Sequence, residues 1–299
     1  MLVFDRRAVR AHRDRAAAGF AGFDFLLREA AERLADRLLD VKRQFPLALD
    51  LGCHTGQLAQ ALQGRGGIER LVQADLSPAM LTGAKGLRLA ADEEFLPFAA
   101  QSFDAVFSVL SLHWVNDLPG ALLQVNRSLK PDGLFLACML GGETLAQLRD
   151  ALLQAEADVT GGASPRVSPM AEVRDAGGLL QRADFALPVA DSETIEVDYP
   201  DALKLMRDLR GMGESNALIG RQRRPTRRAV LAAAAAIYQS RHGRADGRIP
   251  ARFQLITLTG WRPHESQQQP LRPGSAKSRL AAALDTAEQP AGEKTGRRG

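Results

Sequence analysis

The chain has 299 residues, with 39 Lys and Arg against 35 Asp and Glu and a formal net charge of +4. This length can bury a sizeable core, so we expect one principal domain with additions. The net charge is mild, and it does not by itself indicate a nucleic-acid-binding class of protein.

Cysteine usage and hydropathy limit the compartment. Cys53 and Cys138 both fall in predicted sheet segments, which argues against a disulfide or zinc framework and favours a reducing compartment. No apolar stretch approaches the roughly 20 residues that span a bilayer. The arginine-rich N-terminus lacks the apolar region of a secretion signal. We therefore expect a cytoplasmic protein, with a peripheral position at the inner membrane face left open.

Residues 1–45 are helical and amphipathic in character. Apolar residues recur at three- and four-residue spacing from Leu26 to Val41, which predicts one helix. The preceding segment, 4–15, is highly charged with a few apolar anchors. It fits either a solvated leader or a lid that folds over a ligand at the sheet edge.

Strands and helices alternate in the next 95 or so residues. The predicted strands are 47–51, 71–74, 87–91, 103–110 and 134–140. Ser77 followed by Pro78 marks a helix start, and 130–133 is a turn. This alternation predicts parallel βαβ units and an α/β, doubly wound sheet.

The second half adds helices and two strands. Helices are predicted at 144–159, 173–182, 201–210 and 227–240, and strands at 194–199 and 253–259. We place the edge of the fold near residue 268 and expect a disordered tail at 269–299.

The first strand leads into the feature around which function is expected. Asp50 lies at the end of that strand, and Gly52 and Gly56 flank a turn where the backbone can approach a ligand. Asp75 ends the second strand, about 20 residues after Gly56, which is the spacing expected of an acid that accepts hydrogen bonds from ribose hydroxyls. Asp92 and Glu93 end the third strand, where they could accept from the adenine amine.

The turn favours one adenosine cofactor over another. A dinucleotide site needs G-x-G-x-x-G so that a pyrophosphate can approach the helix N-terminus. Here only Gly52 and Gly56 are present, and Asp50 would repel a pyrophosphate. S-adenosylmethionine carries an ammonium group and no phosphate, so it fits better than NAD or FAD.

The motifs as a set resemble a known family. DLGCHTG (50–56), QAD (73–75), ADEEFLPF (91–98), SFD (102–104) and LKPDG (129–133) resemble the ordered motifs of class I S-adenosylmethionine-dependent methyltransferases, of the biotin-synthesis O-methyltransferase type. The resemblance implies a mostly parallel, seven-stranded Rossmann-like methyltransferase fold with N-terminal helices and a helical insertion before the last strand. It adds Leu76 and Ser111 to the expected cofactor contacts.

A closer resemblance extends over nearly the whole chain. FDR (4–6), FPLALD (45–50), SLHWVNDLP (111–119), GMGESN (211–216) and GWRPHES (260–266) resemble a family of respiratory complex I assembly factors that act as protein-arginine hydroxylases on an iron–sulfur subunit. It implies a protein subunit of complex I as partner. We therefore expect three regions. Residues 1–45 would form a helical lid or leader, and residues 46–268 the methyltransferase-fold domain, with a cofactor core at 46–142 and substrate-side elements at 143–268. The disordered tail would follow.

His54 departs from the family pattern, which has a middle glycine there. A left-handed backbone is tolerated less well by histidine than by glycine, although better than by most residues. A histidine turned to solvent is the simpler interpretation. If the ligand needs close approach, the imidazole must point away, so His54 bears on cofactor affinity.

Three residues are candidates for catalysis or for binding the acceptor substrate. His113 and Trp114 follow the fourth strand and form either a core tryptophan with a capping histidine or a wall of the acceptor pocket. Glu214 lies in a glycine-flanked loop, where it has either a loop or capping role or binds a guanidinium through a bidentate contact. The histidine–carboxylate fragments at 12–14 and 264–265 are not spaced to converge on one metal, so no metal site is expected.

Three functions remain open on the sequence. The first is an S-adenosylmethionine-binding complex I assembly factor that hydroxylates an arginine. The second is a methyltransferase acting on a small carboxylate or a protein nucleophile, since methyl transfer needs mainly positioning. The third is a non-catalytic assembly chaperone. The five arginines within 221–228 fit a solvated loop or a dock for an acidic protein, and nucleic acid is not expected because no aromatic residues interleave with them.

Overall fold

The computed structural model of the chain describes residues 2–268, 281 and 285–287. The chain divides into two compact units, Met1–His264 and Glu265–Gly299. In the second unit, the backbone N–H of Thr286 donates to the carbonyl of Ala281 (2.9 Å). The expected tail at 269–299 falls almost wholly outside the described residues, and the proposed division of the chain into domains stays a prediction.

A seven-stranded sheet forms the centre of the first unit. Its strands are β1 (Leu47–Leu51), β2 (Arg70–Asp75), β3 (Leu87–Ala90), β4 (Phe103–Val109), β5 (Leu129–Leu140), β6 (Ala186–Tyr199) and β7 (Ile249–Trp261). They lie in the order β3-β2-β1-β4-β5-β7-β6. The first five strands pair in parallel, whereas β7 is antiparallel to both β5 and β6. The predicted doubly wound, mostly parallel fold is confirmed.

Helices cover both faces of this sheet. They are α1 (Arg6–Ala16), α2 (Phe25–Asp36), α3 (Gln57–Leu62), α4 (Pro78–Leu81), α5 (Leu118–Ser128), α6 (Ala146–Thr160), α7 (Val173–Arg182), α8 (Ala202–Gly211) and α9 (Arg228–His242). The predicted start at Ser77 is observed, because its side chain accepts from the N–H of Met80 (3.1 Å). The helix it caps is nevertheless only one turn long.

Two elements differ from the sequence prediction for physical reasons. The predicted turn at 130–133 lies inside β5 as an irregularity against β4, with Asp132 at φ +65°. Strand β6 begins at Ala186 and not at Thr194, because its long pairing with β7 supplies order that its own residues do not signal. Cys53 lies in the turn after β1 and not in a strand, and both cysteines are buried and free.

The sheet separates two apolar cores. One contains Leu34, Phe107 and Phe253 and packs against α2, α6 and α9, while the other contains Leu49 and Phe135 and packs against α5 and α7. Strand order reverses between β1 and β4, which is where an open α/β sheet forms its ligand crevice at the carboxyl ends of the strands.

Candidate cofactor site and acceptor cavity

The turn after β1 uses glycine for two different reasons. Gly52 has φ +75°, and a Cβ there would lie 2.1 Å from Ser111 Oγ and 3.2 Å from Glu93 Oε1. Gly56 has φ +90°, and a Cβ there would meet Gln73 Oε1 at 2.8 Å. Both positions therefore require a left-handed backbone and the absence of a side chain. The turn passes close to polar groups that end other strands.

Asp50 is a buried carboxylic acid without a partner. It is 1% exposed, and neither of its oxygens accepts a hydrogen bond from the described residues. Burial, and secondarily the nearby charge of Asp75, raise the pKa of Asp50 to about 8. An acid in this state would gain from an incoming cation that restores its charge, which fits an ammonium group.

Asp75 is fully buried at the end of β2 and accepts several hydrogen bonds. The backbone N–H groups of His54 (3.0 Å) and Ser77 (2.8 Å) donate to its carboxylate. The guanidinium of Arg13 donates to both of its oxygens (3.2 and 3.3 Å). Leu76, next in the chain, is half-buried against the small apolar cluster around Trp114.

Glu93 is also fully buried, and it joins the same network. Arg13 donates to it (3.2 Å) and to Ser111 Oγ (2.8 Å), and Ser111 in turn donates to Glu93. Arg6 donates to Glu93 and to Asp92 Oδ1 (2.6 Å). Burial opposes ionisation, but the charges of Arg13 and Arg6 outweigh it and lower the pKa of Glu93 to about 2.

Arg6 and Arg13 are the residues that sequence reasoning missed at this site. Both lie on α1, and Arg13 is only 1% exposed. Burial lowers the pKa of Arg13, but Asp75 and Glu93 raise it by more, so the guanidinium stays charged. Two arginines seven positions apart share one face of a helix, and that spacing was the available signal.

The simpler interpretation of His54, a side chain turned to solvent, is wrong. His54 is 3% exposed, has φ +50°, and stacks on Phe20 with ring centroids 5.6 Å apart. Its Nε2 lies 3.3 Å from the carbonyl oxygen of Leu110. The imidazole is thus buried in the apolar layer made by the N-terminal segment, where burial and then the charge of Arg13 lower its pKa.

His113, Trp114 and Glu214 come together as one group. Glu214 Oε2 accepts from Trp114 Nε1 (3.0 Å) and lies 3.1 Å from His113 Nε2. Since the carboxylate can only accept, His113 is assigned the tautomer with its proton on Nε2. Burial raises the pKa of Glu214, but His113, Trp114 and Arg13 outweigh it, so the pKa is lowered and the group is ionised.

Trp114 and Glu214 form part of the wall of a mostly apolar cavity of about 390 Å³, which we call the acceptor cavity. Leu140 and Phe253 of the sheet, Leu148 of α6 and Met206 of α8 are among the apolar walls. Glu214 also lines a void of about 20 Å³ shared with His54 and Leu110. The carboxylate therefore lies between the β1 turn and the acceptor cavity.

No group of three or more His, Cys, Asp or Glu side chains in the described part of the chain is arranged to hold a metal ion. His12 Nδ1 lies 3.2 Å from the carbonyl oxygen of Ser215, and Asp14 accepts from Ser77. These two side chains are therefore engaged with different partners.

The residues present fit an adenosine cofactor with an amino-acid tail. Asp50 is a buried acid with no hydrogen-bond partner among the described residues, and it lies beside a turn where Ser111 and Glu93 approach Gly52 closely. Asp75 and Glu93 are acceptors for hydroxyl or amine donors, and Arg13 currently supplies N–H donors to both. In this conformation the guanidinium stands where such donors from a ligand would bind.

The chain matches one family model and, among known proteins, relatives of two kinds. A family model described as a methyltransferase domain matches residues 49–137. Arginine-hydroxylase NDUFAF5, mitochondrial, of Danio rerio is 45% identical over 94% of this chain and 89% of its own length. A malonyl-(acyl-carrier protein) O-methyltransferase of Methylovorus sp. (strain MP688) is 36% identical over 87% of this chain and 90% of its own.

A solved structure agrees at the level of the fold. Phosphoethanolamine N-methyltransferase 2 of Haemonchus contortus, in complex with S-adenosyl-L-methionine, superposes with a TM-score of 0.54 at 15% identity, covering 86% of this chain and 60% of that one. Fold and motifs together define an enzyme of the class I S-adenosylmethionine-dependent methyltransferase superfamily, with S-adenosyl-L-methionine as cofactor. Within it, the chain belongs to the family that includes the arginine hydroxylases named NDUFAF5. The family and cofactor predictions are confirmed.

Hydropathy of the folded chain adds one finding. Among the helices of the described residues, none has both the length and the apolar character needed to cross a bilayer.

Proposed function

We propose that this chain is a protein-arginine hydroxylase that binds S-adenosylmethionine and acts on an iron–sulfur subunit of respiratory complex I. The name of the Danio rerio relative supports the reaction. The complex I partner rests on the resemblance of the motifs at 4–6, 211–216 and 260–266 to the assembly-factor family. We also propose a cytoplasmic location, supported by the two free, buried thiols; the Danio rerio relative is named mitochondrial.

The observation that carries the proposal is the position of Glu214. Its side chain is 14% exposed, ionised, and open to the acceptor cavity. A carboxylate has about four acceptor positions, so hydrogen bonds from His113 and Trp114 leave room for a guanidinium fork. The leucine and methionine walls suit the aliphatic stem of an arginine, whose charged head would meet Glu214.

His113 and Trp114 are positioning residues in this proposal. Their ring N–H groups hold the Glu214 carboxylate in place from one side. A carboxylate fixed in this way loses little freedom when it binds a planar guanidinium, so more of the contact energy appears as affinity.

The cofactor is assigned to the other side of Glu214. We propose that Asp75 and Glu93 hold its ribose and adenine donors, that Ser111 and the β1 turn at Gly52 surround it, and that Asp50 binds its ammonium group. When bound, S-adenosylmethionine supplies a sulfonium centre with an electrophilic methyl group. The chain's own residues bind, orient and shield the acceptor side chain.

Hydroxylation replaces a C–H bond of the arginine by C–OH. With dioxygen as oxidant, one oxygen atom enters the product and the other leaves as water, which requires two electrons and two protons from a reductant. The residues described here account for recognition of the side chain that is oxidised.

Mass spectrometry of the complex I iron–sulfur subunit tests the proposal. In cells that lack this chain, we expect one arginine of the subunit to lose the mass of one oxygen atom. Wild-type protein should restore the mass, and Glu214→Gln should not. For the purified enzyme, loss of a charge-assisted bond worth about 1.5–3 kcal/mol predicts a KM about 10- to 100-fold higher.

Glu69→Gln is the matched control, because Glu69 is exposed and lies just before β2, at the amino end of that strand, whereas the candidate cofactor site lies at the carboxyl ends. It should restore the oxygen fully. An oxygen adduct that persists without the chain overturns the hydroxylase proposal. Transfer of a labelled methyl group to the subunit, with no oxygen added, supports a methyltransferase instead.

A further inference from the structure

The segment 221–228, which we call the arginine loop, lies at the edge of the acceptor cavity. Arg166 forms part of the cavity wall, and its guanidinium donates to Thr226 Oγ1 (2.8 Å) and to Gln222 Oε1 (2.9 Å). Thr226 itself lines the cavity. The loop is therefore attached to one wall of the acceptor cavity.

Most of the positive charge of this loop is not neutralised. Arg221 pairs with Asp5 (2.9 Å). The other arginines of the loop are exposed, and none makes an ion pair within residues 2–268: these are Arg223, Arg224, Arg227 and Arg228. Arg210, exposed at the cavity wall, is likewise outside every ion pair of that range.

Helix α9 adds to the positive electrostatic potential of the arginine loop. It starts at Arg228, and its first turn contains no acidic residue. Arg227 is at the N-cap, and no side chain caps the free N–H groups. The positive end of this 15-residue helix therefore lies among the arginines of the loop. Such an arrangement is unfavourable in isolation and becomes favourable when an anion is present.

We propose that the arginine loop, with Arg210 and the start of α9, docks an acidic segment of the protein whose arginine enters the acceptor cavity. The inference rests on the proposed function, since it places the partner's arginine at Glu214. Opposite charge steers and orients such a partner, while the cavity selects the side chain. Because an extended chain advances only about 3.3 Å per residue, the acids should lie close to that arginine in the partner's sequence.

A polypeptide fits this surface better than a nucleic acid does. Segment 221–228 contains no aromatic side chain on which a base could stack. The adjoining cavity has mostly apolar walls, with Arg166 and Arg210 at its lining and the carboxylate of Glu214, and that carboxylate would repel a phosphate and receive a cationic side chain.

Fluorescent peptides titrated against the full chain test this docking. Three peptides share a central arginine and differ in flanks of glutamate, glutamine or lysine, and a fourth keeps the glutamate flanks with norleucine at the centre. We expect the glutamate-flanked peptide to bind at least about 10-fold more tightly than the glutamine-flanked one. Raising salt from about 50 mM to about 500 mM should remove most of that difference.

Charge-reversed variants locate the effect. The triple variant Arg223→Glu, Arg224→Glu and Arg227→Glu should lose the preference for glutamate flanks. The control is Arg70→Glu, Arg127→Glu and Arg182→Glu, three exposed arginines at or shortly before the starts of β2, β5 and β6, and it should keep the preference. Reversal at the start of α9 is favourable for the helix dipole, so the loop variant should fold.

The outcomes separate the docking surface from the function. Equal affinity for glutamate and glutamine flanks, or an unchanged preference in the loop variant, overturns the docking proposal. Tighter binding of RNA or of anionic vesicles through the same arginines overturns it in favour of those partners. If flanks matter but norleucine binds as well as arginine, the docking surface stands and the arginine site at Glu214 fails.

Discussion

Replacing Arg13 by methionine should destabilise the ligand-free protein strongly. Methionine retains helix propensity and an apolar stem but removes the guanidinium. Asp75 and Glu93 would then be left fully buried, without the donors that now lie 3.2 Å from each. Removing one partner of a buried ion pair typically costs about 3–5 kcal/mol, because an uncompensated charge remains.

Urea denaturation followed by circular dichroism measures this loss. In a thermal scan of a chain of this size, a loss of about 3–5 kcal/mol corresponds to a fall in Tm of roughly 5–10 °C. Arg10→Met is the control on the same helix, since that side chain is 53% exposed. It should change the free energy of unfolding by less than about 0.5 kcal/mol.

Acid should narrow the gap between wild type and the Arg13 variant. The pKa of Glu93 is about 2 in the folded protein against an ordinary value of 4.5. A carboxylate whose pKa is depressed contributes stability above its unfolded pKa and loses it as pH falls through the folded value. The difference should therefore shrink as pH falls from 4.5 towards 2.

Binding of the cofactor should offset part of the loss of stability in the Arg13 variant. Because Arg13 occupies donor positions that S-adenosylmethionine would use, the ligand should raise the Tm of Arg13→Met by more than it raises the Tm of wild type. A variant that loses less than about 1 kcal/mol, or gains no extra shift from the cofactor, would refute the reasoning that Arg13 neutralises this site.

Two further changes probe the β1 turn. Between its unfolded pKa of 3.8 and its folded pKa of about 8, Asp50 keeps its proton only in the folded state. The free energy of unfolding of the wild type should therefore fall with rising pH by up to about 1.4 kcal/mol per pH unit. Asp50→Asn should remove that slope in urea titrations and weaken cofactor binding in calorimetry, and equal slopes in the two proteins would contradict the assignment. Gly52→Ala should lose about 2–5 kcal/mol of unfolding free energy, because its backbone is left-handed and the added Cβ would meet Ser111. The control Gly86→Ala, at φ +89° with nothing within 4 Å of the added Cβ, should lose only about 1 kcal/mol. Similar losses at both positions would count against the close approach of Ser111 to Gly52.

Local patterns were enough to predict the cofactor half of the fold. Strand β1 is an apolar run closed by Asp50 and Gly52, and its bounds are as expected because burial on both faces leaves the run no alternative. The first residues of β6 gave no such signal. They form an edge strand that contains Pro188 at a register shift, and their order comes from β7.

The residues of the candidate site also differ in whether the local sequence was enough to predict them. The clustering of Asp50, Asp75 and Glu93 could be predicted because each lies at or just beyond the carboxyl end of a strand, and the parallel topology brings these ends together. Arg13 could not, since it is 62 residues from Asp75 and 80 from Glu93 in sequence. Only the packing of α1 on the sheet makes those contacts. The position of Glu214 beside His113, which is 101 residues away, has the same origin.

The unpartnered acid at Asp50 couples ligand binding to protons. With its folded pKa at about 8, Asp50 carries a proton at neutral pH. A cationic ligand that binds beside it favours the charged form, so that proton must leave as the ligand enters. Binding heats should then differ between buffers of different ionisation enthalpy, and affinity should rise with pH up to about 8. The enzyme would hold its cofactor more firmly in an alkaline compartment than in an acidic one.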